Sequence, residues 1–165
     1  MMRLDLLTFG RLSETRPGEL FVSLDDDRGH YLAGALPDRE VAIDLGASPP
    51  FSMRATGPWA TQYGYTVAVQ LEVDEDSAVL RHSERDCRPG EIVRHRRGWG
   101  IFAHDGDDGR LVRLGGENQG QAPAAALMCF RKWQMVMRAE GSEQLLYRFD
   151  GETLAGVGLR PSEEA

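Results

Sequence analysis

A chain of 165 residues, 41% hydrophobic and 27% charged, has the composition of a folded domain and is long enough to bury a core without disulfide or metal staples. Its net charge of −7 repels phosphate backbones and anionic membranes, so nucleic-acid binding is disfavoured unless a local basic patch carries it. Nothing in the sequence approaches the roughly 20 apolar residues of a membrane-spanning helix.

The N-terminal stretch Met1-Met2-Arg3-Leu4-Asp5-Leu6-Leu7 is too short, and is interrupted by a charge, for a secretion signal. We expect a cytoplasmic protein with both cysteines, Cys87 and Cys129, reduced. Lys132 is the single lysine beside 18 arginines, the codon usage of a GC-rich bacterial genome. Lysine chemistry such as a Schiff base or a P-loop therefore has one residue to draw on. Glycine is abundant, 19 residues, as many tight reversals require.

In chain order, short apolar runs predict strands at Leu4–Phe9, Glu19–Leu24, His30–Ala35, Glu40–Leu45, Phe51–Ala55, Tyr65–Val73, Ala78–His82, Glu91–Arg96, Gly100–His104 and Arg110–Leu114. Asp, Gly and Pro clusters separate them, including Asp25-Asp26-Asp27-Arg28-Gly29 and Asp105-Gly106-Asp107-Asp108-Gly109. Tyr65–Val73 alternates most cleanly, with Tyr65, Val67, Val69, Leu71 and Val73 on one face. Residues 123–138 read differently. Alanine, leucine and methionine enrichment, Pro123 ahead and Gly141 behind predict one helix there. A strand follows at Gln144–Phe149.

The fold expected is mainly β, a sandwich or barrel of short antiparallel strands with one helix near residues 123–138. Residues 1–160 are read as one β-rich domain and 161–165 as a flexible tail. An offset of 80 superposes Gly18, Asp25, Asp27 and Gly29 on Gly98, Asp105, Asp107 and Gly109, which shared hairpin-turn chemistry explains without a duplication.

Catalytic motifs are missing from the sequence. His30, His82, His95 and His104 form no H-x-H or H-x-x-x-H pair, so no metal is expected from local spacing. Counted from Asp105, the twelfth loop position holds Gly116 rather than a glutamate, and both aspartate runs read as turns rather than calcium loops. No G-x-S-x-G, S-x-x-K or G-x-G-x-x-G is present, so neither a catalytic set nor a cofactor is expected. Cys87, flanked by Arg85 and Arg88 with His82 nearby, is the best-placed nucleophile and is read as an exposed loop cysteine. Cys129 reads as a small core residue.

Charge layout is the most unusual feature. Residues 81–97 hold six arginines against Glu84, Asp86 and Glu91, a formal +3 that leaves −10 on the rest. Arg94, Arg96 and Arg97 run into Trp99, and arginine forks beside an aromatic ring suit carboxylates, phosphates or stacked bases. Trp59 and Tyr63 form a second aromatic candidate. The expected function is non-enzymatic binding or assembly, with a protein partner or a second copy of the chain, through the arginine-rich surface. Two other readings stay open: a small hydrolase or metal-binding barrel built from scattered histidines and carboxylates, and RNA or single-stranded DNA binding through Arg81–Trp99.

Overall fold

A computed structural model describes residues 7–24, 29–55, 61–95, 98–116, 127–139 and 141–156. The apolar runs emerge as strands separated by turns of a few residues. The first half contributes β1 (Thr8–Arg11), β2 (Leu20–Ser23), β3 (His30–Leu36), β4 (Arg39–Asp44), β5 (Ser52–Ala55), β6 (Tyr63–Val67) and β7 (Gln70–Val73). The second half contributes β8 (Ala78–Arg81), β9 (Ile92–His95), β10 (Gly98–Asp105), β11 (Asp108–Gly116), β12 (Leu127–Phe130), β13 (Trp133–Ala139), β14 (Ser142–Phe149) and β15 (Leu154–Gly156). Helical turns among the described residues are three-residue 3-10 pieces, at Leu12–Glu14, Glu75–Ser77 and Glu84–Asp86. No helix among them is long and apolar enough to cross a membrane.

The larger sheet runs β1-β6-β2-β3-β4-β5-β10-β9-β12-β8, and β11 pairs with both β10 and β3. Strands β3, β4, β5, β10 and β11 therefore close into a five-stranded ring. Two narrow contacts complete it: parallel His104–Ser52 between β10 and β5, and antiparallel Arg113–Ala35 between β11 and β3. The smaller sheet is β15-β14-β13-β7. One apolar cluster joins both sheets. Leu20, Leu32, Ile43, Ile101 and Val112 from the larger meet Trp133, Met135, Leu146 and Phe149 from the smaller. Both the barrel and the sandwich expected from the sequence are thus present in one molecule.

Tight hairpins follow the turn chemistry. Gly106, at φ 63°, takes the first central position between β10 and β11, a backbone state that side chains disfavour. The matching turn at 25–28 lies outside the described residues, as do the expected tail and residues 123–126.

Two expectations are corrected. The run Tyr65–Val73 is not one strand. It breaks at Ala68-Val69, so that β6 pairs with β1 and β2 while β7 pairs with β13 in the other sheet. Val67, Val69, Leu71 and Val73 still pack on the common core. Periodicity reports which face is buried and is silent about the pairing partner. The helix near 123–138 is also absent: residues 127–130 and 133–139 are β12 and β13, joined at Arg131-Lys132. Leu127 and Cys129 face one apolar cluster, whereas Phe130, Trp133, Met135 and Met137 face the other. A strand with apolar residues on both faces loses its alternation, and its composition then resembles that of a buried helix.

A polar contact also ties the sheets together. His30 Nδ1 in β3 lies 2.6 Å from the Tyr147 hydroxyl in β14. Burial holds the His30 imidazole below its ordinary pKa, with Asp44 opposing, and burial pushes the Tyr147 phenol up. Below the ordinary histidine value of about 6.5, the unfolded chain accepts a proton that folded His30 resists. This contribution to stability is therefore present above that pH and is lost on acidification. Urea melts at pH 7.5 and 5.5 should show this loss, and His30→Gln should reduce the difference between them. A Cβ at Gly64 in β6 would meet the Val22 carbonyl and the Phe21 ring. Gly64→Ala should cost about 1–3 kcal/mol in the same melts.

Candidate functional site

Register along the far end of the larger sheet organises two features on opposite faces of the same strands. Met128 of β12 stands opposite Leu80 of β8 and Arg94 of β9, and Arg94 stands opposite Trp99 of β10. Directly opposed residues share a face, so Leu80, Met128, Arg94 and Trp99 form one cross-strand row. The next row on that face, Ala78, Phe130, Ile92 and Ile101, runs into the common core at Phe130, Ile92 and Ile101. Core therefore grades into surface: Leu80 is 55% and Met128 38% exposed. The Arg94 guanidinium lies 4.9 Å over the Phe130 ring, and its nearest carboxylate is that of Glu75 at 3.7 Å.

Strand β7 supplies the opposite wall. Val69, Leu71 and Val73 face Ile92, Arg94 and Trp99 across an open groove of about 570 Å³. β7 pairs only with β13 among the described strands, which leaves its other backbone edge on the groove side of the smaller sheet. Gln70 and Glu72 add polar groups to the wall. Glu72 is already engaged, by Gln134 at 3.0 Å and Arg138 at 2.8 Å.

The other face of these strands carries Val79, Cys129 and Val93 in one row. The connection from β8 to β9 folds back over it and brings Cys87 to Cys129, with the two sulfurs 3.6 Å apart. Beside them lies Glu91, 1% exposed. Arg81 grips it with both fork nitrogens, Nε to Oε1 at 3.0 Å and Nη2 to Oε2 at 2.7 Å. The Arg88 backbone N–H donates to Oε1 at 2.9 Å, and Arg131 Nε stands 3.9 Å from Oε2. A buried carboxylate is tolerable only when paired and hydrogen-bonded in this way. The connection is held from the core side by Trp133, whose indole N–H donates to the Gly90 carbonyl at 2.7 Å.

Cys87 is thus not an exposed loop cysteine: it is 7% exposed and Cys129 is 0%. Nor do the flanking arginines activate it. Its hydrogen bond with Cys129 and its burial raise the Cys87 pKa, and the same bond lowers that of Cys129. Among the described residues, Cys87, Glu91 and Cys129 are the grouping of His, Cys, Asp or Glu whose ligand atoms lie within 4.8 Å of one another. Both Glu91 oxygens are committed to Arg81, so only the two sulfurs are available as ligands, short of the four a closed zinc site uses.

Of the residues singled out in the sequence, Arg94 and Trp99 come together in the groove. Tyr63 lies elsewhere, on β6 near the opposite end of the strand order, stacked on Phe9 at 5.8 Å with Arg11 5.1 Å above its ring. Arg96, Arg97 and Trp59 lie outside the described residues. His30 serves the sheet-to-sheet contact, and His82 is exposed on the connection. Leu80 and Met128 were not singled out, and Arg81 and Glu91 entered only as charges of the arginine-rich run, because cross-strand register and the pairing of distant charges are encoded in no local pattern. The clamp gives a direct test. Glu91→Gln should cost about 3–5 kcal/mol in urea melts by stranding Arg81. An Arg81→Met/Glu91→Met double variant should be more stable than Glu91→Gln alone.

No curated protein and no solved structure matches the chain. A family model described as "Uncharacterised protein y4lG" matches residues 9–156. That span takes in both the groove and the thiol–carboxylate cluster and runs from β1 to the end of β15. The chain therefore belongs to the y4lG family of uncharacterised proteins.

Proposed function

We propose that this chain is a non-enzymatic binding module whose groove takes an extended segment of a partner protein, one that alternates acidic and apolar residues. The observation that carries the reading is the placement of Arg94 and Trp99 opposite each other, across from the unpaired edge of β7. An extended chain can add its backbone to such an edge, while alternate side chains enter the groove. The apolar wall of Val69, Leu71, Val73 and Ile92 suits one face of that segment. Arg94 suits a carboxylate, since its ion pair with Glu75, at 3.7 Å, is solvent-exposed on both sides and exchangeable for another carboxylate. Leu80 and Met128 extend the apolar surface beyond the groove mouth. The local excess of positive charge in residues 81–97 favours an acidic partner over a basic one.

Fluorescence anisotropy with labelled peptides tests this. A peptide of alternating Glu and Val should bind, and one of alternating Lys and Val should not. Arg94→Glu and Met128→Glu should each weaken the acidic peptide about tenfold or more, with the melting temperature unchanged. Equal binding of both peptides, or affinity untouched by Arg94→Glu, would remove the groove from consideration. Tighter binding of a single-stranded oligonucleotide, with the steep salt dependence of phosphate contacts, would replace the peptide with nucleic acid.

A further inference from the structure

We propose that Cys87 and Cys129 are a reversible oxidation site, which a hydroperoxide converts to a disulfide. The pair is assembled by the fold from distant parts of the chain, 42 residues apart. One sulfur rides on the β8–β9 connection and the other on β12. Their 3.6 Å separation is contact distance for two thiols, and closing it to the roughly 2.05 Å of an S–S bond is a movement of about 1.5 Å. Cys87 follows a three-residue 3-10 turn in an irregular connection, and such a segment can supply that movement more readily than β12, which is paired on both sides.

Access and charge favour the same chemistry. Cys87 is 7% exposed and Cys129 0%, so a small oxidant meets the pair from the Cys87 side. At Cys129 the hydrogen bond from Cys87 holds the thiol below its ordinary pKa, toward the thiolate form, which is the form that reacts. The second thiol lies in contact with the first, so a sulfenic acid on either has its resolving partner in place. The balance is two thiols and one hydroperoxide giving one disulfide, one water and one alcohol, or a second water when the oxidant is hydrogen peroxide. The S–S bond forms, while both S–H bonds and the O–O bond break. Each sulfur gives up one electron, both peroxide oxygens are reduced, and the thiol protons leave on the oxygen products. The product ties the β8–β9 connection covalently to β12 and closes a long loop, which restricts the unfolded chain.

The test uses the full chain, fully reduced and then exposed to hydrogen peroxide. The product should be about 2 Da lighter, and peptide mapping should join Cys87 to Cys129, reversibly with dithiothreitol. Its melting temperature should rise by about 5 °C or more. Cys87→Ser should fold, gain no cross-link and show no such rise. Three results would overturn the proposal: sulfinic or sulfonic acid on one cysteine without a cross-link; two unmodified thiols after treatment; or a full equivalent of zinc retained by the reduced protein and shielding both thiols from alkylation.

Discussion

The architecture depends on one constraint: β9, β10 and β12 carry core residues on both faces, Ile92, Ile101 and Phe130 on one and Val93, Phe102 and Cys129 on the other, so each face needs a cover there. The smaller sheet covers one face through Trp133, Met135 and Phe149. The β8–β9 connection covers the other, laying Cys87 over Cys129, Val93, Leu127 and Phe102. A short irregular connection can do this only if its backbone and its charges are satisfied. The Arg81–Glu91 fork and the Trp133–Gly90 hydrogen bond satisfy them from opposite sides. The clamp is therefore less a source of net stability than a condition for laying that cover down, since desolvating two charges offsets most of what their attraction contributes.

Legibility in the sequence followed the turn residues that bound each strand. His30–Ala35 and Glu40–Leu45 are bounded by turn residues and reappear nearly unchanged as β3 and β4, although both are almost wholly buried. β12 and β13 follow each other across only Arg131-Lys132, with no Gly or Pro between them, and their continuous apolar run read as a helix for that reason. In the run from Tyr65 to Val73 the alternation places Val67, Val69, Leu71 and Val73 on the core but not Tyr65, which packs on exposed Phe9, and it is silent about the change of sheet at Ala68-Val69, because pairing partners are non-local. The same blindness hid Glu91. In sequence it is one of three acids amid six arginines, whereas in space it is enclosed and Arg81 is committed to it.

The arginine excess in residues 81–97 is accordingly not a uniform basic surface. Arg81 is spent inward on Glu91, and Arg94 faces outward over Phe130. Counting charge along the chain merges two arginines with opposite roles, one internal to the fold and one presented to solvent. The groove and the thiol pair likewise share strands without sharing a face.

β12 makes this separation consequential. It has only four residues, and it sends Met128 toward the groove side and Cys129 toward the sulfur side. Sliding it by a single position against its neighbours would exchange the two faces wholesale, burying a thioether where a thiol belongs and presenting a thiol to solvent. Leu127 stands opposite Arg81, the residue anchored on Glu91. The buried ion pair thus works as an indexing pin: it gives an otherwise slippery, short, apolar strand one address, and both surfaces inherit their identity from that alignment.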